Sequence, residues 1–297
     1  MNKKPKIGLF IMTDKGAGVF KALLRTFGTS AIAYVVTAQD SAVLEDGSSK
    51  ILQLASEFGV PAYIKPEYPK DEEECVKIAA SWKWKIQVEP NRSLIVFHDS
   101  LLPRYRGFNP LVSAIINAEK EIGVTAFIAT DETDKGPIVA QKAIRIKYPI
   151  TISQAIQAIV PCYELLAVEV GKKIFSNNLS GVCQNEKKAT FSLWRDDMDY
   201  QIDWKGSAAQ IKRFIDAVGY PYKGALCYIG SKRCRVLECE EMGDIQIENR
   251  TSGKIIFVQN GMPVVVCGKG LLKIKSLFCS ETSENLLPLL KLKTRFS

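Results

Sequence analysis

Short apolar runs alternate with helical patterns through the first 130 residues, and this alternation restricts the fold more than any other feature of the chain. The apolar runs predict strands over residues 6–12, 31–37, 62–64, 93–97 and 123–130. The segments between them predict helices over residues 19–27, 50–58, 71–80 and 111–118. Continuous apolar strands joined by helices are typical of α/β folds, in which helices cover both faces of a mostly parallel sheet. We therefore expect a Rossmann-like sheet in the first part of the chain.

The pattern changes in the second half of the chain. A long apolar helix is predicted over residues 152–175, and an amphipathic helix over residues 207–217. Short β-rich runs follow, separated by turns that contain Gly and Asn, at residues 225–229, 234–238, 253–259, 262–267 and 271–274. Such spacing is typical of a small β-barrel. Because 297 residues are many for one hydrophobic core, we expect two domains, over residues 1–203 and 204–297.

Composition narrows the classes of partner. A formal net charge of +8 favours phosphates, nucleotides or nucleic acid, although a solvated basic surface explains it equally well. The eight cysteines include no CxxC pair, and the single histidine is remote from them, so we expect free thiols and no metal site. No apolar stretch approaches the roughly 20 residues that span a bilayer. We expect a cytoplasmic protein without a membrane partner.

His98 is the only histidine, and it stands where a predicted strand gives way to a loop. It follows the apolar run 93–97 and opens the loop 99–107. A side chain that titrates near neutrality at the end of a buried strand suits acid–base catalysis. A histidine that only packs the end of the strand is the alternative. The segment 16–18, in contrast, lacks the full GxGxxG pattern and favours a plain strand-to-helix turn over a phosphate loop.

Three motifs appear in order along the chain. The run HDSLLPRYRG begins at His98, the run GVT occupies residues 123–125, and a D-x-G-x-I motif begins at Asp134. In sequence and spacing they resemble the motifs of the formyltransferase family that uses 10-formyltetrahydrofolate. Residues 203–225 and 271–274 resemble the OB-like C-terminal domain of the transfer-RNA and nucleotide-sugar members. The resemblance implies a formyltransferase-type catalytic domain, a one-carbon transferase activity, and 10-formyltetrahydrofolate as co-substrate without a metal.

The resemblance also implies roles for individual residues. His98 would remove the proton of the acceptor amine, and Asp134 would orient the imidazole. The residues expected at the folate are Trp82, Trp84, Ile86, Leu102, Asp131 and Thr133, with core packing as the alternative for the two tryptophans. The residues expected at the acceptor are Arg104, Tyr105, Arg106, Arg195, Tyr222 and Lys223, with plain solvent exposure as the alternative reading of such side chains.

One position departs from the family pattern. Val96 stands where the family has a catalytic asparagine, two residues before the histidine. That asparagine would donate a hydrogen bond to the formyl oxygen, and loss of one such donor slows catalysis by about 10²–10³-fold. Three interpretations stay open: another donor serves (Asn109, a backbone N–H or water), the enzyme is slow, or the chain is a ligand-binding relative without catalysis. For Asn109, capping of the helix that begins at Pro110 is the alternative role.

Two acceptors fit the expected two-domain organisation: a nucleotide-linked amino sugar and initiator methionyl-tRNA. Residues 82–84, 194–204 and 219–224 look closer to sugar N-formyltransferases. Residues 176–204 contain three basic against five acidic side chains, which is a poor match to a phosphate backbone. We therefore expect N-formylation of a nucleotide sugar for a cell-surface glycan such as O-antigen, capsule or flagellar glycan. The expected partners are small molecules rather than nucleic acid, and a homodimer is compatible with the sequence.

Overall fold

The computed structural model describes residues 5–41, 43, 46–68, 75–87 and 93–297, with Cys75 described by its backbone alone. Its strands are β1 (Lys6–Ile11), β2 (Ile32–Thr37), β3 (Ala62–Ile64), β4 (Cys75–Ala80), β5 (Leu94–His98), β6 (Arg106–Gly107), β7 (Glu121–Ile128), β8 (Ile138–Arg145), β9 (Phe191–Ser192), β10 (Ala225–Ile229), β11 (Lys232–Met242), β12 (Ile255–Gln259), β13 (Met262–Val266) and β14 (Leu271–Cys279). Its α-helices are α1 (Thr13–Phe27), α2 (Ser48–Glu57), α3 (Pro110–Ile116), α4 (Ile152–Phe175) and α5 (Ala208–Val218).

A seven-stranded sheet forms the first part of the fold, in the order β3-β2-β1-β4-β5-β7-β8. The strands from β3 to β5 run parallel, whereas β7 pairs antiparallel with β5, and β8 pairs antiparallel with β7. Parallel strands that are covered on both faces read as continuous apolar runs, and in β1 every residue after Lys6 is buried. The expectation of a mostly parallel α/β sheet is confirmed.

Three local predictions are wrong. Residues 75–80 form β4 rather than part of a helix, because they pair with β1 and β5 in the middle of the sheet; residues 71–74 lie outside the described part of the chain. Periodicity alone does not separate a short buried strand from a helix. Residues 13–18 belong to α1, which begins directly after β1 instead of after a loop. Strand β8 is missing from the prediction, since exposed polar residues interrupt its apolar pattern at the edge of the sheet.

The second sheet has five antiparallel strands in the order β10-β11-β14-β13-β12. The segment 294–297 is bonded to both of its edges. Ser297 exchanges two backbone hydrogen bonds with Tyr228 of β10, and Phe296 donates to the carbonyl oxygen of Gly253, just before β12. These bonds link the two edge strands and close the sheet into a small barrel. The predicted small β-barrel is therefore confirmed.

The chain divides into two compact units. The first comprises Met1–Leu111, Lys120–Ile146 and Ala155–Leu193, and the second comprises Val112–Glu119, Lys147–Gln154 and Trp194–Ser297. The cysteines whose side chains are described are free thiols, and all of them except Cys183 are buried. Among the described residues, no helix combines the length and the apolar character that a membrane span needs.

Candidate active site

His98 ends β5 with a buried side chain. Its Nε2 lies 2.8 Å from the carbonyl oxygen of Tyr105. Because a carbonyl oxygen only accepts hydrogen bonds, Nε2 carries the hydrogen of this bond. The other ring nitrogen, Nδ1, lies 3.7 Å from Oδ2 of Asp134. The structure thus brings together the two residues that the motifs predict as a pair.

The route by which Asp134 reaches His98 differs from the expectation. In a parallel sheet the turn after β7 would lie at the same edge as His98. However, β7 is antiparallel, and its last residue, Ile128, pairs with Ile95. His98 pairs with Thr125, three residues before Ile128. The turn after β7 therefore has to run back alongside β5 for about three residues, or roughly 10 Å, before Asp134 reaches His98. Because β7 runs antiparallel to β5, Asp134 does not follow the carboxyl end of a parallel strand, and only the returning turn brings it to His98.

Two glycines permit the close packing of this turn. Asp134 has φ +53°, and its Oδ2 accepts a hydrogen bond of 2.7 Å from the Gly107 N–H. A Cβ on Gly136 would collide with the carbonyl oxygen of Ile128. A Cβ on Gly107 would collide with the carbonyl oxygen of Ser192, and its φ of +99° is one that other residues rarely adopt. The glycines of the two motifs therefore allow the backbone to approach closely enough for Asp134 to bind Gly107.

Arg106 is fully buried and bonded to the segment that holds the turn. Its Nε and Nη2 donate to Oε1 of Gln184 at 3.2 and 2.8 Å, and its Nη1 and Nη2 donate to the Glu186 carboxylate at 2.9 and 2.7 Å. These bonds also hold the pKa of Glu186 below its ordinary value. The amide nitrogen of Gln184 donates in turn to the carbonyl oxygens of Asp134 (2.7 Å) and Gly136 (2.8 Å). The predicted role of Arg106 at the acceptor disagrees with this burial, because every guanidinium nitrogen is bonded inside the protein.

Thr125, the last residue of the GVT motif, fixes the loop that follows His98. Its hydroxyl donates to the carbonyl oxygen of Ser100 (2.6 Å) and accepts from the N–H of Leu102 (3.0 Å). Gln141 of β8 donates to the same hydroxyl (2.8 Å) and to the carbonyl oxygen of Leu102 (2.9 Å). The side chain of Leu102 is itself buried. The GVT motif includes Thr125, whereas Gln141 lies on β8, which the sequence pattern does not predict.

Val96 lies on the same face of β5 as His98, because alternate residues of a strand share a face. It packs against an apolar cluster whose buried members are Phe10, Tyr34, Val36, Ala79 and Leu94. Trp82 and Ile86 pack against the same cluster, and the Trp82 ring centroid is 5.5 Å from that of Phe10. The position where the family has an asparagine is therefore apolar in this chain.

The side chains of Trp82 and Asn109 carry hydrogen-bond donors without a partner among the described residues. Nε1 of Trp82 is buried and unbonded there. Asn109 has φ +48° in the loop before α3, and its amide forms no hydrogen bond within the described part of the chain. Trp84 lies beside Trp82, with ring centroids 5.0 Å apart, and Asp131 and Thr133 are exposed. A buried donor without a partner is unfavourable, and this applies to the indole N–H of Trp82, whereas the half-buried Asn109 amide is open to water.

Just after β5, on the side opposite to His98, lies an ion pair that the sequence patterns do not predict. Asp99 accepts a hydrogen bond of 2.5 Å from Lys15 of α1, and another from the Tyr163 hydroxyl of α4. Burial acts to raise the pKa of Asp99, but the Lys15 charge and these hydrogen bonds outweigh it and leave the pKa below its ordinary value. Burial and the Asp99 charge raise the pKa of Tyr163 well above its ordinary value. The residue after His98 is thus tied to two helices.

The remaining residues predicted for the acceptor are divided between the two units. Arg104 is exposed in the first unit, and its guanidinium lies over the ring of Tyr105, 5.1 Å from the centroid. In the second unit, Lys223 is exposed and Tyr222 is half-buried. Arg195, also in the second unit, donates to a neighbouring backbone carbonyl at 3.4 Å. Their roles at the acceptor stay predictions.

The chain matches known proteins in both of its parts. Residues 85–160 match the formyl transferase family, and residues 196–282 match the formyl transferase C-terminal domain. A methionyl-tRNA formyltransferase of Protochlamydia amoebophila is 33% identical over 140 residues, which cover 47% of this chain and only 44% of that enzyme. A methionyl-tRNA formyltransferase of Streptococcus thermophilus is 28% identical over 261 residues, which cover 83% of this chain and 82% of that enzyme.

Two solved structures share the fold over most of the chain. WlaRD, a sugar 3N-formyl transferase determined in the presence of dTDP and 5-N-formyl-THF, is 16% identical with a TM-score of 0.69, and the match covers 96% of this chain and 99% of WlaRD. An N-formyltransferase from Helicobacter canadensis, in complex with folinic acid and dTDP-3-aminofucose, is 17% identical with a TM-score of 0.70. That match covers 91% of this chain and 98% of the other. At these identities the likeness establishes the fold.

Proposed function

Since the chain belongs to the formyl transferase family, whose members are formyl-transferring enzymes, we propose that it transfers the formyl group of 10-formyltetrahydrofolate to the amino group of a nucleotide-linked amino sugar. The observation that carries the proposal is the His98–Asp134 pair at the end of β5. The product would serve the synthesis of a cell-surface glycan. The reaction belongs in the cytoplasm, where the described free thiols would stay reduced.

In the proposed reaction His98 is the general base, and Asp134 supports it. Because Nε2 is bonded to Tyr105, Nδ1 is the nitrogen that takes the proton of the acceptor amine as the amine attacks the formyl carbon. The Asp134 carboxylate faces Nδ1 and stabilises the positive charge that the imidazole then carries. The bound folate supplies the formyl group, and the proton taken up by His98 passes to N10 of the folate as the bond from N10 to the formyl carbon breaks and tetrahydrofolate leaves.

The residues around Val96 fit a folate ring system. Trp82 offers a buried N–H without a partner in the described part of the chain, and Ile86 and Val96 offer apolar side chains against the same cluster. Ligand sites for flat heterocycles combine apolar walls with a few placed polar groups, and this set has that composition. WlaRD was determined in the presence of 5-N-formyl-THF, and the Helicobacter canadensis enzyme in complex with folinic acid. We therefore place the folate beside Trp82, within reach of its indole N–H.

Replacing Trp82 with phenylalanine should weaken the binding of folinic acid by about 5- to 10-fold, because the variant keeps an aromatic ring but loses one donor to the ligand. Isothermal titration calorimetry measures the change. Trp204→Phe is the matched control, since its Nε1 is also buried without a partner in the described residues, but its ring packs against Phe296 in the second unit. The control should bind like the wild type. Equal affinities of the Trp82 variant and the wild type would contradict this placement of the folate.

The charges of the second unit favour a small acceptor over tRNA. The basic side chains of β11 and β14 include several that are paired with a carboxylate of the same unit: Lys232 with Glu284, Arg233 and Arg235 with Asp197, Lys273 with Glu240, and Lys275 with Glu238. The hydrogen bonds from Arg233 and Arg235 lower the pKa of Asp197, which keeps that carboxylate charged. Proteins bind a tRNA backbone through cations that replace counterions, and cations already neutralised within the protein contribute little to such binding. A single nucleoside diphosphate has only one diphosphate group, so its binding needs far fewer free cations than the binding of a tRNA backbone.

A panel of acceptors tests the proposal. The purified protein is incubated with 10-formyltetrahydrofolate and with dTDP- or UDP-linked amino sugars or initiator methionyl-tRNA, and the products are analysed by mass spectrometry. We expect the mass of one formyl group to be added to an amino-sugar nucleotide. The methionyl-tRNA formyltransferases among the relatives make tRNA the second candidate, and formylation of tRNA alone would overturn the choice of acceptor. Binding of both ligands without any formylated product would identify a relative that has lost catalysis.

A further inference from the structure

The His98–Asp134 pair is held by a segment that contributes no group to the proposed reaction. We propose that residues 184–192, here called the brace, keep His98 and Asp134 at their working separation, with Gln184 as the positioning residue. This inference rests on the proposed function, because it assigns to the brace a role that acts through that pair. The brace bonds to the turn that carries Asp134 and to the loop that binds the His98 ring.

On the Asp134 side, one amide supplies two donors. Nε2 of Gln184 donates to the carbonyl oxygens of Asp134 and Gly136, at 2.7 and 2.8 Å. The turn needs this restraint, because it returns along an antiparallel strand and places Asp134 at φ +53°, a conformation that few non-glycine residues adopt. Strand pairing between β7 and β8 resumes only at Ile138. The amide therefore fixes the stretch of backbone that the sheet leaves unpaired.

On the His98 side, the brace holds Tyr105, whose carbonyl oxygen accepts the hydrogen bond from the imidazole. Oγ1 of Thr190 accepts from the Tyr105 N–H at 2.9 Å. The following strand, β9, pairs with β6 and so fixes Gly107. Gly107 is the residue whose N–H binds Asp134 at 2.7 Å. One short segment thus positions the hydrogen-bond partners of both members of the pair.

Arg106 fixes the orientation of the Gln184 amide. The buried guanidinium donates to Oε1 of Gln184 and to both carboxylate oxygens of Glu186. Because Oε1 faces Arg106, the amide nitrogen has to face the turn, where both of its hydrogens find carbonyl oxygens. A glutamine that is bonded at both ends of its amide has a single orientation. This is the property that a residue needs in order to position another group within a fraction of an ångström.

Two substitutions of Gln184 separate positioning from support of the fold. Gln184→Glu keeps an acceptor for Arg106 but loses the donors to the turn, whereas Gln184→Met loses both. We expect kcat to fall by about tenfold or more in both variants, with KM for both substrates within about twofold of the wild type. We expect Tm to fall less in Gln184→Glu, which keeps an acceptor for Arg106, than in Gln184→Met. A normal kcat in Gln184→Glu would overturn the proposal.

The single histidine of the chain provides a readout that needs no acceptor. The imidazole C–H resonances in NMR spectra belong to His98 alone, and they should move in both Gln184 variants. Asn185→Ala is the matched control in the same segment, because it removes only the side-chain acceptor for the Lys187 N–H, at 3.1 Å. Its imidazole resonances and its kcat should match those of the wild type. Unmoved resonances in Gln184→Glu would also overturn the proposal.

The same series separates a failure of the brace from a failure of the proposed function. If the wild-type protein formylates no amino-sugar nucleotide, the proposed function fails, whereas wild-type kcat in His98→Asn would remove His98 from the reaction and with it the pair through which the brace acts. If His98→Asn is inactive while Gln184→Met keeps the wild-type kcat, the brace alone fails. In an Asp134→Asn background, Gln184→Met should remove little further activity, because residues that act as one unit are not additive. A full second tenfold loss there would contradict action through Asp134.

Discussion

Replacing His98 with asparagine is expected to lower kcat by about 10²–10⁴-fold while the affinity for the acceptor stays nearly unchanged. The asparagine amide can still donate a hydrogen bond towards Tyr105, but it has no basic nitrogen for the proton of the amine. The variant therefore loses proton transfer but keeps a hydrogen-bond donor for the loop that carries Tyr105. Steady-state kinetics with saturating 10-formyltetrahydrofolate, with the formylated product followed by mass spectrometry, gives both kcat and KM.

Asp134→Asn is the companion to this variant. Its amide oxygen can still accept from the Gly107 N–H, so the turn keeps its main contact while the charge opposite the imidazole is lost. We expect kcat to fall again, because the imidazolium that forms during proton transfer loses its counter-charge. Circular dichroism and Tm establish that each variant remains folded. A folded His98→Asn enzyme with kcat within a few-fold of the wild type would show that another group removes the proton.

The fold of the first unit and the identity of the proposed catalytic pair follow from local sequence patterns. Continuous apolar runs predict the central strands, and the motifs around His98 and Asp134 predict two residues that the structure places with Nδ1 and Oδ2 3.7 Å apart. Gly107 and Gly136 show why these motifs are informative. At each position a Cβ would collide with a backbone carbonyl oxygen, so the glycine indicates that another stretch of backbone approaches closely there.

The brace and the role of Arg106 could not be predicted in the same way, because their contacts join residues that are far apart in the chain. Gln184 is 50 residues from Asp134, and Arg106 is 80 residues from Glu186. A charged residue in a loop is expected at the surface, and only the partners supplied by a distant segment make its burial favourable. The error at β4 has the same origin, since its pairing with β1 and β5 decides its structure and its local pattern does not.

Replacing Asn109 with glycine is expected to lower kcat by about 10²–10³-fold, which is the effect of losing one donor to a developing oxyanion. Val96 supplies no donor at the family's position, whereas the Asn109 amide forms no hydrogen bond within the described residues, and we propose that it donates to the formyl oxygen. The backbone of Asn109 has φ +48°, which glycine adopts freely, so the variant loses the amide without added strain. The kinetic assay used for His98→Asn measures the loss, and unchanged KM values would assign it to catalysis.

Val96→Asn provides the matching rescue. Alone it should leave kcat unchanged, because a donor is already present, and it should lower the free energy of unfolding by about 1–3 kcal/mol, because an amide enters the apolar cluster around Phe10 and Leu94. Combined with Asn109→Gly, it should restore much of the lost kcat, since it returns a donor to the position that the family uses. Urea denaturation and the same kinetic assay measure the two effects. An inert Asn109→Gly variant, together with a large gain in kcat from Val96→Asn alone, would show that the wild-type site has no such donor and that catalysis relies on His98 and Asp134 alone.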